Sequence, residues 1–77
     1  MSEQDAWPLW RGPRAGVVER FEAERGVGTI AAEDGTRFSF HCTSLVDGSR
    51  EVEEGREVLF VLRAAHGRLE AWAVVKR

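Results

Sequence analysis

From Ala15 onward, apolar residues recur with the period of two that belongs to half-buried strands, in short runs separated by turn residues. Gly16-Val-Val-Glu-Arg-Phe21 is the first run. Gly26-Val-Gly-Thr-Ile-Ala31 is the second, and Glu33-Asp34-Gly35-Thr36 follows it with the Asp-Gly turn of a tight hairpin. In Arg37–Cys42 the alternation is strict, which predicts Phe38, Phe40 and Cys42 on one face and Ser39 and His41 on the other. A polar, glycine-containing connection spans Thr43 to Gly55. Glu57 to Leu62 reads as a fourth strand, apolar on both faces and therefore expected to be covered. Ala65-His66-Gly67 makes a second hairpin turn, and Leu69 to Val75, with Trp72 inside it, a fifth strand. Helix is poorly supported, because Glu19 to Arg25 has one large apolar residue, Phe21, and is followed at once by Gly26 and Gly28. The pattern predicts an all-β fold: five short antiparallel strands in a small closed or nearly closed barrel.

Residues 1–14 read differently. Pro8, Pro13 and Gly12 interrupt any regular element, and Trp7-Pro8-Leu9-Trp10 places two indoles there. The expected organisation is an irregular arm over 1–14, loose or docked, ahead of one barrel domain over 15–77. A length of 77 residues allows no second domain. With 43% hydrophobic and 31% charged residues, and no apolar run near the ~20 residues of a membrane span, the chain reads as folded and soluble, with no membrane partner. Cys42 is the only cysteine, so no internal disulfide can form and the core alone must hold the fold. That usage suits a reducing compartment, and the acidic N-terminus lacks the pattern of a secretion signal, so the expected location is cytoplasmic.

Charge narrows the function. Thirteen acids against eleven bases give a net charge of −2, which argues against holding duplex DNA by bulk charge. All the bases but Lys76 are arginines, whose planar guanidinium stacks on rings and forks onto phosphate. The connection Asp47–Glu57 is acidic, whereas beyond it Arg63, Arg68, Lys76 and Arg77 face Glu70 alone.

Catalytic and cofactor motifs are weak. Gly26-Val-Gly28-Thr-Ile-Ala31 fits a loose dinucleotide-loop pattern, but that loop must open a helix after a strand, and here it lies inside strand-type sequence. Strand glycines of this kind mark bends or close backbone approach. His41 and Cys42 are adjacent in an expected strand, so imidazole and thiol should face opposite ways, with Cys42 a small buried hydrophobe. Two histidines and one cysteine fall short of a zinc site, and Glu53-Glu54 before Gly55 reads as a solvated turn. Neither enzymatic activity, nor a metal, nor a cofactor is expected.

Several stretches then fall in a fixed order: Gly16-Val-Val-Glu-Arg-Phe-Glu22, Arg25-Gly-Val-Gly-Thr-Ile30, Asp34-Gly35, Arg37-Phe-Ser-Phe-His41, Glu54-Gly-Arg-Glu-Val-Leu-Phe60, and Ala71 with Val74. Their order and spacing over residues 16 to 75 resemble the bacterial cold-shock domain, a five-stranded barrel of the oligonucleotide-binding (OB) type. There they answer to G-x-V-K-W-F-N, K-G-F-G-F-I, a following Asp-Gly, D-V-F-V-H, E-G-Q-x-V-x-F and the closing strand. The resemblance implies a single-stranded nucleic acid lying across strands one to three, its bases stacked on outward rings.

Those rings are mostly replaced. Position by position, the family's Lys is Glu19, its Trp is Arg20, and the phenylalanines of its two motifs are Val27, Thr29 and Ser39, with Cys42 after the His. Phe21, Arg25 and His41 keep family-like chemistry, and Arg20 offers a guanidinium plane. A base–ring stack is worth ~1–3 kcal/mol, so losing the rings at Arg20, Val27, Thr29 and Ser39 removes about 4 kcal/mol even at the low end, roughly a thousandfold in affinity. Glu19 adds repulsion of phosphate.

Two functions follow. One is weak binding of single-stranded DNA or RNA with little sequence preference, in which Phe21 and His41 stack on bases and Arg20 and Arg25 contact phosphate or a base plane. The other is a protein-interaction or regulatory module on the same barrel, working through the Asp47–Glu57 connection or through Trp7 and Trp10. Those tryptophans are equally read as cover for the ring-poor face, as a hydrophobic anchor for a protein partner, or as substitute stacking groups.

Overall fold

The strands form where alternation is strongest and end where turn chemistry interrupts it. The computed structural model describes residues 12–65 and 67–77. It contains β1 (Arg14–Glu22), β2 (Val27–Ala32), β3 (Arg37–His41), a 3-10 turn over Cys42–Ser44, β4 (Glu57–Ala65) and β5 (Arg68–Lys76). All neighbouring strands are antiparallel, in the order β3-β2-β1-β4-β5. The β2–β3 turn is as expected: the Gly35 amide donates to the Ala32 carbonyl, the Thr36 amide to Asp34 Oδ1, and Gly35 takes the left-handed conformation (φ 90°) such loops require.

β1 is the hub. Arg14–Val17 pair with β4, while Gly16–Glu22 pair with β2. Val18 stands opposite Ile30 but Arg20 stands opposite Thr29, so Glu19 is the extra residue of a β-bulge. An added residue bends a strand and resets which side its successors face. Val18 points inward ahead of it, and beyond it Arg20 points outward and Phe21 inward again. At the crossing, a Cβ on Gly28 would sit 2.4 Å from the Arg20 carbonyl oxygen and 2.8 Å from the Phe40 ring, so close approach of strand and ring excludes any side chain there.

Val18, Ile30, Phe38, Phe40, Val58, Phe60, Leu62, Ala71 and Val74 fill the interior. The long β3–β4 connection contributes Leu45 and Val52, both buried. Leu45 bridges to Val74 and the Val46 amide donates to the Val74 carbonyl at 2.9 Å, which draws the end of β3 toward β5 and rolls the sheet. The acidic connection is therefore anchored, and Asp47 is further held by Lys76 at 3.1 Å.

Three sequence expectations are corrected. β3 stops at His41, and Cys42 opens the 3-10 turn half-buried instead of continuing the inward row. β4 and β5 run on to Ala65 and back to Arg68, because Arg63↔Glu70 and Ala64↔Leu69 extend a ladder that residues of low strand propensity conceal. On β4, Val58, Phe60 and Leu62 are buried, but Leu59 and Val61 on the other face are only half-buried, so the strand is not fully covered. β1 starts at Arg14, the last residue of the expected arm; Trp7 and Trp10 lie outside the described residues.

Candidate nucleic-acid interface

The register of β1, β2 and β3 sorts their residues into rows. Arg20, Thr29 and Ser39 stand side by side on the outward face, as do Glu22, Val27 and His41; between them Phe21, Gly28 and Phe40 form an inward row. The outward rows line a shallow recess of about 250 Å³ with Arg20, Glu22, Val27, Thr29 and Ser39 in its walls, the Glu22 carboxylate 3.6 Å from Arg25. Apart from the His41 imidazole, these rows carry no ring.

The expected site residues do not all share this surface. Phe21 turns to the core side: its ring lies 5.9 Å from that of Phe40, the two planes 17° apart. Its exposed part opens on a separate recess of about 530 Å³ that also holds Ala23, Ser49, Glu51, Glu53, Glu54 and Lys76. Three glutamates make that recess hostile to a polyanion. Arg25 lies in the β1–β2 turn, exposed and 3.6 Å from Glu22. Arg20 and His41 stand in the two outward rows, and among the described residues no ion pair or hydrogen bond holds the Arg20 side chain.

Glu19 does not act as expected. Its carboxylate accepts from Arg37 Nε at 2.7 Å, and that hydrogen bond, more than the nearby Arg20 charge, holds its carboxyl below the usual range. The bulge carries Glu19 to Arg37 at the far end of β3, so its charge is matched within the protein and does not stand alone against phosphate.

His41 caps the 3-10 turn. Its Nδ1 accepts from the Thr43 amide at 3.2 Å and lies 3.0 Å from Thr43 Oγ1, a pattern that assigns the proton of the neutral ring to Nε2. Because β3 ends here, Cys42 Sγ comes within 3.8 Å of the same Nδ1, against the expectation that thiol and imidazole face apart. The nitrogen is already an acceptor for Thr43, so it is poorly placed to act as a base toward the thiol. Among the described residues, no three metal-ligating side chains cluster.

A second recess, about 370 Å³, shares Val27 and Ser39 with the first and adds His41, Thr43, Arg63 and Glu70. The outward face thus continues across the β3–β5 seam. There Arg63 Cζ sits 3.6 Å from the centroid of the Trp72 ring, and Arg63 Nε donates to Glu70 Oε1 at 3.3 Å. Sequence reasoning missed this pair. The available signal was the Ala65-His66-Gly67 turn, from which counting back along both strands sets Arg63 opposite Glu70.

A five-stranded antiparallel sheet in this order, rolled about one apolar interior, is an oligonucleotide-binding-type barrel. Residues 14–77 match the model of the "cold-shock" DNA-binding domain, and the chain belongs to that family. Among solved structures it is similar to "drosophila Unr CSD456", with a TM-score of 0.72 and 23% sequence identity over 99% of this chain. The match spans 31% of that solved chain, and at this identity the likeness is one of fold. No curated protein matches it.

Proposed function

We propose that the protein binds single-stranded DNA or RNA across the outward rows of β1–β3, weakly and with little sequence preference, without catalysing a reaction. The observation that carries this reading is the pair of adjoining outward rows on a cold-shock barrel, where Arg20 and His41 face solvent while Glu19 is neutralised by Arg37. His41 offers a ring to a base, Arg20 a guanidinium to a base plane or phosphate, and Arg25 a charge at the turn. Phe21 supports the surface from below, through Phe40. With Val27, Thr29 and Ser39 at the remaining positions, few stacks form, which keeps affinity low. A ring or guanidinium plane stacks on any base, which keeps discrimination low as well. A half-buried, unpaired Cys42 is compatible with work in a reducing cytosol.

The test is an NMR titration with short oligo-dT and oligo-U at low salt. Shifts should gather on Arg20, Val27, Thr29, Ser39 and His41. Arg20→Ala should weaken binding and flatten the salt dependence by about 0.7 in log–log slope if it contacts one phosphate. A flat titration would overturn the reading and favour the protein-interaction module.

A further inference from the structure

We propose that Arg63 and Trp72 form a second base-stacking position, with an unpaired nucleobase resting on the Arg63 guanidinium and the indole beneath it. The inference rests on the reading that a single strand crosses the outward rows, and it extends that path over the β3–β5 seam. One recess has His41, Val27, Ser39 and Arg63 in its walls, so the two places border the same space.

The geometry suits a base better than a phosphate. An exposed arginine ordinarily samples many rotamers, and fixing it costs affinity. Here the guanidinium is already set, by ring contact at 3.6 Å on one side and by Glu70 at 3.3 Å. The Arg63 side chain nonetheless keeps 47% of its surface open. Glu70 offsets most of its charge and would repel a phosphate brought near. What remains is a flat, polarisable, nearly neutral surface, and every base has a face that fits one. Stacking capacity missing at Val27, Thr29 and Ser39 is thereby relocated to the neighbouring ribbon, on residues that lie outside strands one to three.

The experiment uses the full chain with short oligo-dT. The Trp72 indole N–H, assigned through Trp72→Phe, and the Arg63 Nε–H are followed beside the His41 amide. All three should shift along one saturation curve. By fluorescence anisotropy, Arg63→Ala should weaken binding about fivefold or more with the salt slope unchanged, and Arg63→Lys should behave like the alanine variant, because it keeps charge and loses the plane. Shifts on β1–β3 with Arg63 and Trp72 silent would overturn this inference and leave the nucleic-acid reading standing, as would wild-type affinity in Arg63→Lys. No shift anywhere would overturn both.

Discussion

The two sides of β1–β3 are built from the same alternating sequence and have had opposite fates. The inward side keeps a full set of large groups, with Phe21 on Phe40 and Phe38 beside Phe60, their ring centroids 5.9 Å apart in both pairs. The outward side has Arg20, Val27, Thr29 and Ser39 where a family resemblance leads one to expect rings, and only His41 remains aromatic. Because side chains of a strand point alternately to the two faces, each side can change without disturbing the other. The barrel needs the first side and nothing from the second, so family membership reports the core, while affinity is set by residues that the fold does not require.

The sharpest way to break this separation is at its centre. Phe60 is 1% exposed and touches Phe38 across the interior, so Phe60→Ala should cost about 3–5 kcal/mol. That is a large share of the ~4–12 kcal/mol available to a chain of this size, and urea denaturation should show the unfolding midpoint lowered by a large fraction. Full stability after this truncation would mean that the interior is not what holds the barrel.

Restoring a ring on the other side should do the reverse. Thr29→Phe puts an aromatic in the Arg20–Ser39 row, and should add about 1–3 kcal/mol of stacking, roughly five- to a hundredfold in oligo-dT affinity. The urea midpoint should move little. Unchanged affinity with an intact fold would show that ring loss is not what limits binding.

Ser44 sharpens the inward half of the comparison. It is 3% exposed, and among the described residues its Oγ has no hydrogen-bond partner. A buried hydroxyl without a partner is destabilising, so Ser44→Ala should raise stability by about 1 kcal/mol, seen as a Tm increase of ~4–8 °C. A drop in Tm would mean that the hydroxyl is satisfied in solution.

The smallest effect is at the surface. The Ser49 amide donates to Asp47 at 2.9 Å, and with the Ser49 hydroxyl and Lys76 this lowers the Asp47 carboxyl from 3.8 to about 2. A depressed folded-state value means that its contribution is complete above the unfolded value of 3.8 and is lost as pH falls through about 2. Asp47→Asn should therefore lower the denaturation midpoint slightly at neutral pH, with the difference from wild type gone near the bottom of that window. A gap that persists in strong acid would assign the effect to packing instead of charge.

Much of the candidate site was legible, but unevenly. Arg20 and His41 belong to the outward rows, as their motif positions imply. Phe21 reads as their neighbour in sequence and turns to the core in space, because the bulge at Glu19 resets the face that each later residue of β1 presents. The same bulge brings Glu19 to Arg37, which changes an expected repulsion into a matched pair. Cys42 reads as one more alternating residue until the chain turns at His41 and the thiol swings beside the ring.

Local pattern alone determined the all-β class, the strand sequence, the Asp34-Gly35 turn and the inward identity of Phe38 and Phe40. These follow from a two-residue period and from turn preferences that act over a few neighbours. Only the tertiary structure decided the bulge, the partner of Glu19, the length of the β4–β5 ribbon and the meeting of His41 with Arg63 across the seam. Each of those depends on which remote strand lies alongside and in what register, and a shift of one residue in that pairing exchanges the two faces of a strand while leaving its sequence the same.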